Sequence, residues 1–308
     1  GFDTVNFGTG HGWYELDYTE LTDGTDIDLT FGIVDKGLDG LDTLIGLDNI
    51  DYEFGGLGIG GSTGDDRYFG LSSSDGWVQF RGGAGDDTIY GGVGFERIDY
   101  RDAAIGVTVN FAIGLTTEDG FGGTDTFFDV DEVRGSSYDD TLTGSAGDDR
   151  FIGLAGNDVI DGGDGYDIVR YDRSAIENAV NVDLSQNIAS NDGYGDSDTL
   201  NNIEEVRGSR FGDTLVASDD GNRLRGKGGD DDLTGGSAND KLMGDDGNDN
   251  NLDACTDRCE VAVPVAGGGE DHTCWTRGGH VWCAGFGPFG VMGDGHELGY
   301  NTPHEVPN

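Results

Sequence analysis

Lysine is almost missing from this chain of 308 residues, with only Lys36, Lys227 and Lys241 present. The 17 basic side chains face 61 acidic ones, for a formal net charge of −44. A surface this negative repels phosphate backbones and anionic lipid heads, which argues against nucleic acid and membrane surfaces as partners and favours cations. Long hydrophobic runs are missing too. No apolar stretch approaches the ~20 residues of a membrane span, so no membrane insertion is expected. Hydrophobic residues make up 34%, against 59 glycines. That is too little for a conventional core, yet Phe, Tyr, Ile and Leu are too frequent for simple disorder. The chain starts at Gly1 without Met or a signal-peptide pattern and reads as a processed or excised segment. Proline and cysteine are absent before residue 253, whereas Pro264, Pro288, Pro303, Pro307, Cys255, Cys259, Cys274 and Cys283 all follow it. Counting alone therefore marks a domain boundary. Cysteines confined to one short segment fit an oxidising compartment.

What is present is a repeat of nine. From Gly82 the chain reads GGAGDDTIY and then GGVGFERID. From Gly135 come GSSYDDTLT, GSAGDDRFI, GLAGNDVID and GGDGYDIVR, and from Gly208 five more blocks end in GDDGNDNNL. The sixth position holds Asp87, Glu96, Asp140, Asp149, Asp158, Asp167, Asp213, Asn222, Asp231, Asp240 and Asp249. The eighth holds Ile89, Ile98, Leu142, Phe151, Ile160, Val169, Leu215, Leu224, Leu233 and Leu242. One apolar residue in nine cannot form the stripe of an amphipathic helix. It suits a very short strand whose single inward residue stacks on its counterpart in the next coil. Glycines at positions one, two and four are expected to supply the positive φ of a sharp turn. Two nonapeptides then make a coil, and coils stack at roughly 4.8 Å. The sixth-position carboxylates line up at that spacing and would repel one another. A hard divalent cation held by carboxylate and carbonyl oxygens relieves this, and calcium best tolerates such an irregular cage.

The GGxGxDxUx pattern resembles the RTX (repeats-in-toxin) calcium-binding β-roll family of secreted bacterial proteins. The resemblance implies an all-β parallel β-roll, an extracellular or cell-surface location, and several bound Ca²⁺ ions. It assigns calcium to the sixth-position acids quoted above, and to Asp42 and Asp66 of an N-terminal copy. Glu96 and Asn222 depart from the pattern and should weaken their sites, while Asn251 ends the apolar column and is expected to end the roll.

Longer β modules interrupt the repeats. Residues 98–142 match 169–215, with alternating Val107, Val109, Phe111 and Val180, Val182, Leu184 reading as half-buried strands. TDT…VDEV and SDT…IEEV read as strands leading back into the roll. A weaker copy (VNF, IDLTF, GLDGLDTLI) rejoins the register at GSTGDDRYF, residues 61–69. The insert 70–81, with Trp77 and Phe80, breaks that register by three residues. The expected domains are 1–97, 98–168 and 169–252 as RTX modules, then a cysteine-containing β tail, 253–308.

The tail 262–299 is similar to one blade of the regulator-of-chromosome-condensation-type propeller, with Ala284 in place of the usual tryptophan. Two strands meeting at Arg277-Gly278-Gly279-His280 bring Cys274 and Cys283 within disulfide reach, giving a small disulfide-stapled segment. Cys255 with Cys259 could close a small loop. A zinc site drawing on His272 and His280 is the rival, although C-x₃-C and C-x₈-C are not standard zinc spacings.

No GxSxG, HExxH or phosphate-binding loop occurs, and no enzyme is expected. The periodic carboxylates belong to calcium rather than acid–base work. Tyr100, Tyr171, Phe127 and Phe128 read as module core rather than a ligand platform. Three roles stay open. The first is a structural or adhesive subunit of a filament or surface layer, assembling head to tail with copies of itself. The others are a module binding surface polysaccharide and the calcium-triggered folding domain of a secreted enzyme or toxin.

Overall fold

The structure is a computed structural model that describes residues 2–7, 11–47, 51–72, 76–173, 176–252, 260–262, 272–277, 280–285 and 300–305. It is all-β apart from one 3₁₀ turn, Gly37–Asp39. The chain forms two compact units, Gly1–Gly165 and Tyr166–Asn308.

In the first unit most nonapeptides contribute a three-residue strand centred on position eight, namely Arg67–Phe69, Thr88–Tyr90, Thr141–Thr143, Arg150–Ile152 and Val159–Asp161, while the block from Gly91 gives the longer Phe95–Asp99. Alternation within three residues turns the middle side chain inward and its neighbours outward. Parallel pairing then stacks like on like. One sheet aligns Ile27, Tyr68, Ile89 and Phe127, and also Val109, Leu142 and Ile160. The other aligns Ile59, Phe80, Ile98, Val133 and Phe151. All twelve of these side chains are buried. The two columns form one core, since Tyr68 of the first sheet stacks on Phe80 of the second at 5.0 Å. The insert 70–81 supplies the strand Trp77–Arg81, the second half of its coil, with twelve residues where nine are usual.

The second unit repeats this plan. Val182, Leu215, Leu233 and Asn251 align in one sheet, and Val169, Val206, Leu224, Leu242 and Val261 in the other. The roll therefore does not end at Asn251. The strand Glu260–Ala262 adds to Lys241–Asp246, because Val261 restores an apolar residue to the register place beside Leu242.

Each longer module inserts an antiparallel meander into a parallel sheet. Thr108–Asn110, Leu115–Glu118 and Asp125–Phe128 form one, and Asn181–Asp183, Ile188–Asn191 and Asp198–Asn201 its counterpart. Asp26–Asp28, Ile33–Asp35 and Leu41–Ile45 form the N-terminal version. The middle strand of each meander is not expected from sequence. Val107, Val109, Val180, Val182 and Leu184 are buried as their alternation requires, and so are Tyr100, Tyr171 and Phe127. Phe128 is not core. It is 48% exposed because the ninth position points outward.

The tail forms a three-stranded antiparallel sheet, His272–Arg277, His280–Gly285 and Tyr300–Glu305. Arg277 pairs with His280 at the expected hairpin, and Cys274 stands opposite Cys283 in the register. Cys255 and Cys259 lie outside the described residues.

Candidate metal centre

The turns that precede the strands hold the acids in two reciprocal ladders. A sixth-position carboxylate reaches back one layer: Asp87 Oδ1 accepts the Asp66 amide at 2.8 Å, Asp158 Oδ1 the Asp140 amide at 2.9 Å, Asp231 Oδ1 the Asp213 amide at 2.8 Å, and Asp249 Oδ1 the Asp231 amide at 3.0 Å. Asp240 Oδ1 accepts from Asn222 in the same way. A fifth-position carboxylate reaches forward: Asp65 accepts the Asp86 amide, Asp139 that of Asn157 and Asp230 that of Asn248, and the third-position Asp219 accepts that of Ser237 in the same way. The bonds from Asn157 and Ser237 hold Asp139 and Asp219 below the usual carboxylate range. The fifth-position ladder escapes the sequence reading, although its signal, the repeated Asp-Asp pair, is plain.

Two backbone conformations underlie the turns. In the first, residue two is glycine at Gly92 and Gly236, whose amides reach Glu96 and Asp240, and elsewhere serine: Ser62, Ser136, Ser145, Ser209 or Ser218. None of these has positive φ. The serine amide and hydroxyl both turn inward onto the acid. Asp140 accepts the Ser136 amide and hydroxyl and the Val107 amide, all at 2.7 Å. Asp66 is held by Ser62 and Thr25, Asp213 by Ser209 and Val180, and Asp149 by Ser145. In the second conformation, residue two has positive φ: Gly83 (93°), Leu154 (80°), Gly163 (97°), Lys227 (80°) or Asp245 (64°). Residue four follows, with Gly85, Gly156, Gly165, Gly229 and Gly247 also in that region. For leucine and lysine this region costs roughly 1–2 kcal/mol, which the surrounding layers must offset.

The first-position glycine has a different reason from the one expected. In the blocks that open at Gly61, Gly82, Gly91, Gly135, Gly144, Gly153, Gly162, Gly208, Gly226, Gly235 and Gly244 its φ is not positive. A Cβ there would stand 1.8 Å from Oδ2 of Asp87, at Gly82, and 1.9 Å from Oδ2 of Asp231, at Gly226. Glycine is needed to leave space for the carboxylate.

In three of the positive-φ turns that space holds an oxygen without a donor. Oδ2 of Asp87, Asp231 and Asp249 is buried and accepts no hydrogen bond. Burial first, and then the Asp125 charge, pushes Asp87 up to about 9, and burial pushes Asp231 up to about 7. Asp140 and Asp213, with more donors, rise only to about 6 through burial. A bare carboxylate oxygen in such a place calls for a cation. Oxygen-only donors at irregular spacing suit calcium, with the carbonyls of Ser62 and Gly64 facing Gly83 and Gly85 of the next layer. Among the described residues no three His, Cys, Asp or Glu side chains gather as a metal-holding group, so carbonyls must complete any cage.

The remaining expected ligands sit differently. Asp42 meets an internal cation, with Lys36 Nζ at 2.6 Å and the Tyr18 hydroxyl at 3.3 Å. Glu96 accepts the Tyr68 hydroxyl at 2.9 Å and the Gly92 amide at 3.1 Å, and burial lifts it to about 7. The Asp167 amide donates to Glu204 Oε2 at 2.8 Å.

Sequence reasoning also misses two disguised nonapeptides. Residues 120–128, GFGGTDTFF, place Asp125 sixth and Phe127 eighth, and Asp125 Oδ1 accepts the Asp87 amide at 3.0 Å. Residues 193–201, GYGDSDTLN, place Asp198 and Leu200 likewise. Just before them Asp119 and Asp192 are fully buried, each with Oδ1 on three successive amides and Oδ2 without a donor.

The family model of the RTX calcium-binding nonapeptide repeat (4 copies) matches residues 79–95, 134–169 and 216–250. Over these three segments the chain matches RTX calcium-binding repeats. The matched segments cover the turns at Asp87, Asp140, Asp149, Asp158, Asp167, Asp231, Asp240 and Asp249, and do not reach the tail. No curated protein matches the chain. RTX repeats bind calcium and are generally found in secreted, extracellular proteins. No helix among the described residues is long and apolar enough to cross a membrane.

Proposed function

We propose that the chain is a non-enzymatic, calcium-stabilised scaffold working outside the cell, as a structural or adhesive subunit of a filament or surface layer. The observation that carries this is the buried, donorless Oδ2 of Asp87, Asp231 and Asp249. These carboxylates are fixed in layer-to-layer ladders, which suits them to hold cations between coils rather than to exchange protons with a substrate. When bound, calcium supplies the positive charge that lets stacked turns ionise together. The first-position glycines leave room, the sixth-position acids hold the ion, and the eighth-position residues close the core beneath.

A sugar-stacking platform has less support. Phe69, Tyr90 and Phe128 stack at 4.9 and 5.2 Å with interplanar angles of 6° and 12°. Both faces of Tyr90 are therefore covered by rings of the chain itself.

Circular dichroism of the full chain in EGTA and then in millimolar calcium tests the scaffold reading. The β spectrum should be lost in chelator and return with calcium. An unchanged spectrum in EGTA refutes it. Electron microscopy of the calcium-loaded chain tests assembly, where filaments or sheets are expected and monomeric particles at high concentration would refute the filament.

A further inference from the structure

The two turn conformations divide the sixth-position acids by what already surrounds them. In serine turns the acid is fully supplied. Asp66 accepts from the Ser62 amide and hydroxyl and the Thr25 amide and hydroxyl, and Asp213 from Ser209 and Val180. Three or four donors on two oxygens leave a carboxylate little need of a cation. One turn is a built-in control. Asn222 occupies the sixth place after Ser218, its Oδ1 accepts the Ser218 amide at 2.7 Å and hydroxyl at 2.8 Å, and its Nδ2 donates to the Ile203 carbonyl. A neutral amide oxygen thus accepts both serine donors, so this turn closes without a charge at that position.

The positive-φ turns differ in their amides. Rotating residue two into the left-handed region takes its N–H away from the acid, and no hydroxyl replaces it. That is why Oδ2 of Asp87, Asp231 and Asp249 is stranded.

We propose that, among the sixth-position acids, calcium is held only at the positive-φ turns, and that serine at the second position marks a cation-free turn closed by its own hydroxyl and amide. The proposal rests on the calcium reading above and refines it: Asp66, Asp140, Asp149 and Asp213 are structural acids, while Asp87, Asp231 and Asp249 are ligands. The cation-free turns have a consistent place. The amides received by Asp66, Asp140 and Asp213 come from Thr25, Val107 and Val180, where the longer modules offer no acid to share an ion. Serine closes the first turn of such a run, and calcium the turns stacked on it.

Native mass spectrometry and calorimetric titration of the full chain with Ca²⁺ alone test this. Asp140→Asn and Asp213→Asn should bind as many ions as the unaltered chain, whereas Asp87→Asn and Asp231→Asn should each bind one fewer. The β circular dichroism spectrum of each variant in calcium guards against variants that fail to fold. Loss of an ion from folded Asp140→Asn or Asp213→Asn, or no loss from the other two, overturns the proposal. An unaltered chain that binds no calcium overturns the calcium reading as well, and so separates the two failures.

Discussion

Two glycines of one turn, Gly226 and Gly228, should answer alanine in opposite ways. At Gly226 the new methyl would lie 1.9 Å from Oδ2, 2.5 Å from Cγ and 2.9 Å from Cβ of Asp231, so the whole carboxylate must swing away. The bond from the Asp213 amide, 2.8 Å long, breaks with it. A buried amide left unpaired costs about 1–3 kcal/mol. Displacing the oxygen that faces the cation adds the lost binding, for a total of about 2–4 kcal/mol in calcium. At Gly228 the nearest atom to an added methyl would be Arg210 Cα, 3.7 Å away, and the backbone is outside the left-handed region. Alanine there only restricts the unfolded chain and should be neutral or stabilising by about 0.4–1 kcal/mol. Urea unfolding of both variants in saturating calcium measures the gap, which should shrink as calcium is lowered toward the folding midpoint and the ion's share falls. Stabilities of the two variants within about 0.5 kcal/mol of each other would refute the steric and ligand argument together.

Stability should depend on pH with opposite signs in chelator and in calcium. Asp87 and Asp231 lie at about 9 and about 7 in the fold, above the ~3.9 of an unfolded aspartate. Without calcium their contribution is complete in acid and is lost as pH rises through 7 and 9, so whatever β signal persists in chelator should fall from pH 5 to 8. With calcium the ions must displace those protons, so the midpoint calcium concentration for folding should also fall over that range; a flat profile in both conditions would contradict the assignment. Lys36→Met should destabilise the N-terminal module by on the order of 2 kcal/mol in thermal melts. It strands the buried Asp42, and the nearby exposed Asp3 keeps water close enough to soften the loss. Peptide mapping under non-reducing conditions should find Cys274 linked to Cys283, whose places face each other in the hairpin register, and stoichiometric zinc would contradict the link.

The repeat is legible because its two columns are one-residue signals: a buried Ile89, Leu142 or Leu215 cannot be confused with its exposed neighbours once the step is nine. Reading fails where the register is kept and its marker residues change. Phe121 and Tyr194 stand second in 120–128 and 193–201, so neither opens with the glycine pair that marks the blocks at Gly82, Gly91, Gly162 and Gly235. Phe128 reads as core because it is aromatic, yet a strand of period two puts the residue after Phe127 outside. The role of the first glycine is hidden because φ and free space make the same demand in sequence, and only the Asp87 and Asp231 carboxylates tell them apart. The difference between serine and positive-φ turns is written at position two but carries no hydropathy contrast. It becomes visible when each donor is assigned an acceptor.

The ladders also govern how such a chain can change in length. Asp140 meets Asp158, and Asp213 meets Asp231, at a separation of 18 residues. Deleting nine residues would carry every later strand from one sheet to the other and present each acid to the wrong row of amides. Deleting or duplicating 18 returns every later residue to an equivalent place. Lineages of this chain should therefore differ by whole coils, and mutational scans should tolerate 18-residue gaps far better than nine-residue ones. Slack exists only where a coil already runs long. Asp66 and Asp87 are 21 residues apart, and the three extra residues fall in the insert leading to Trp77–Arg81, leaving the acids on either side in step.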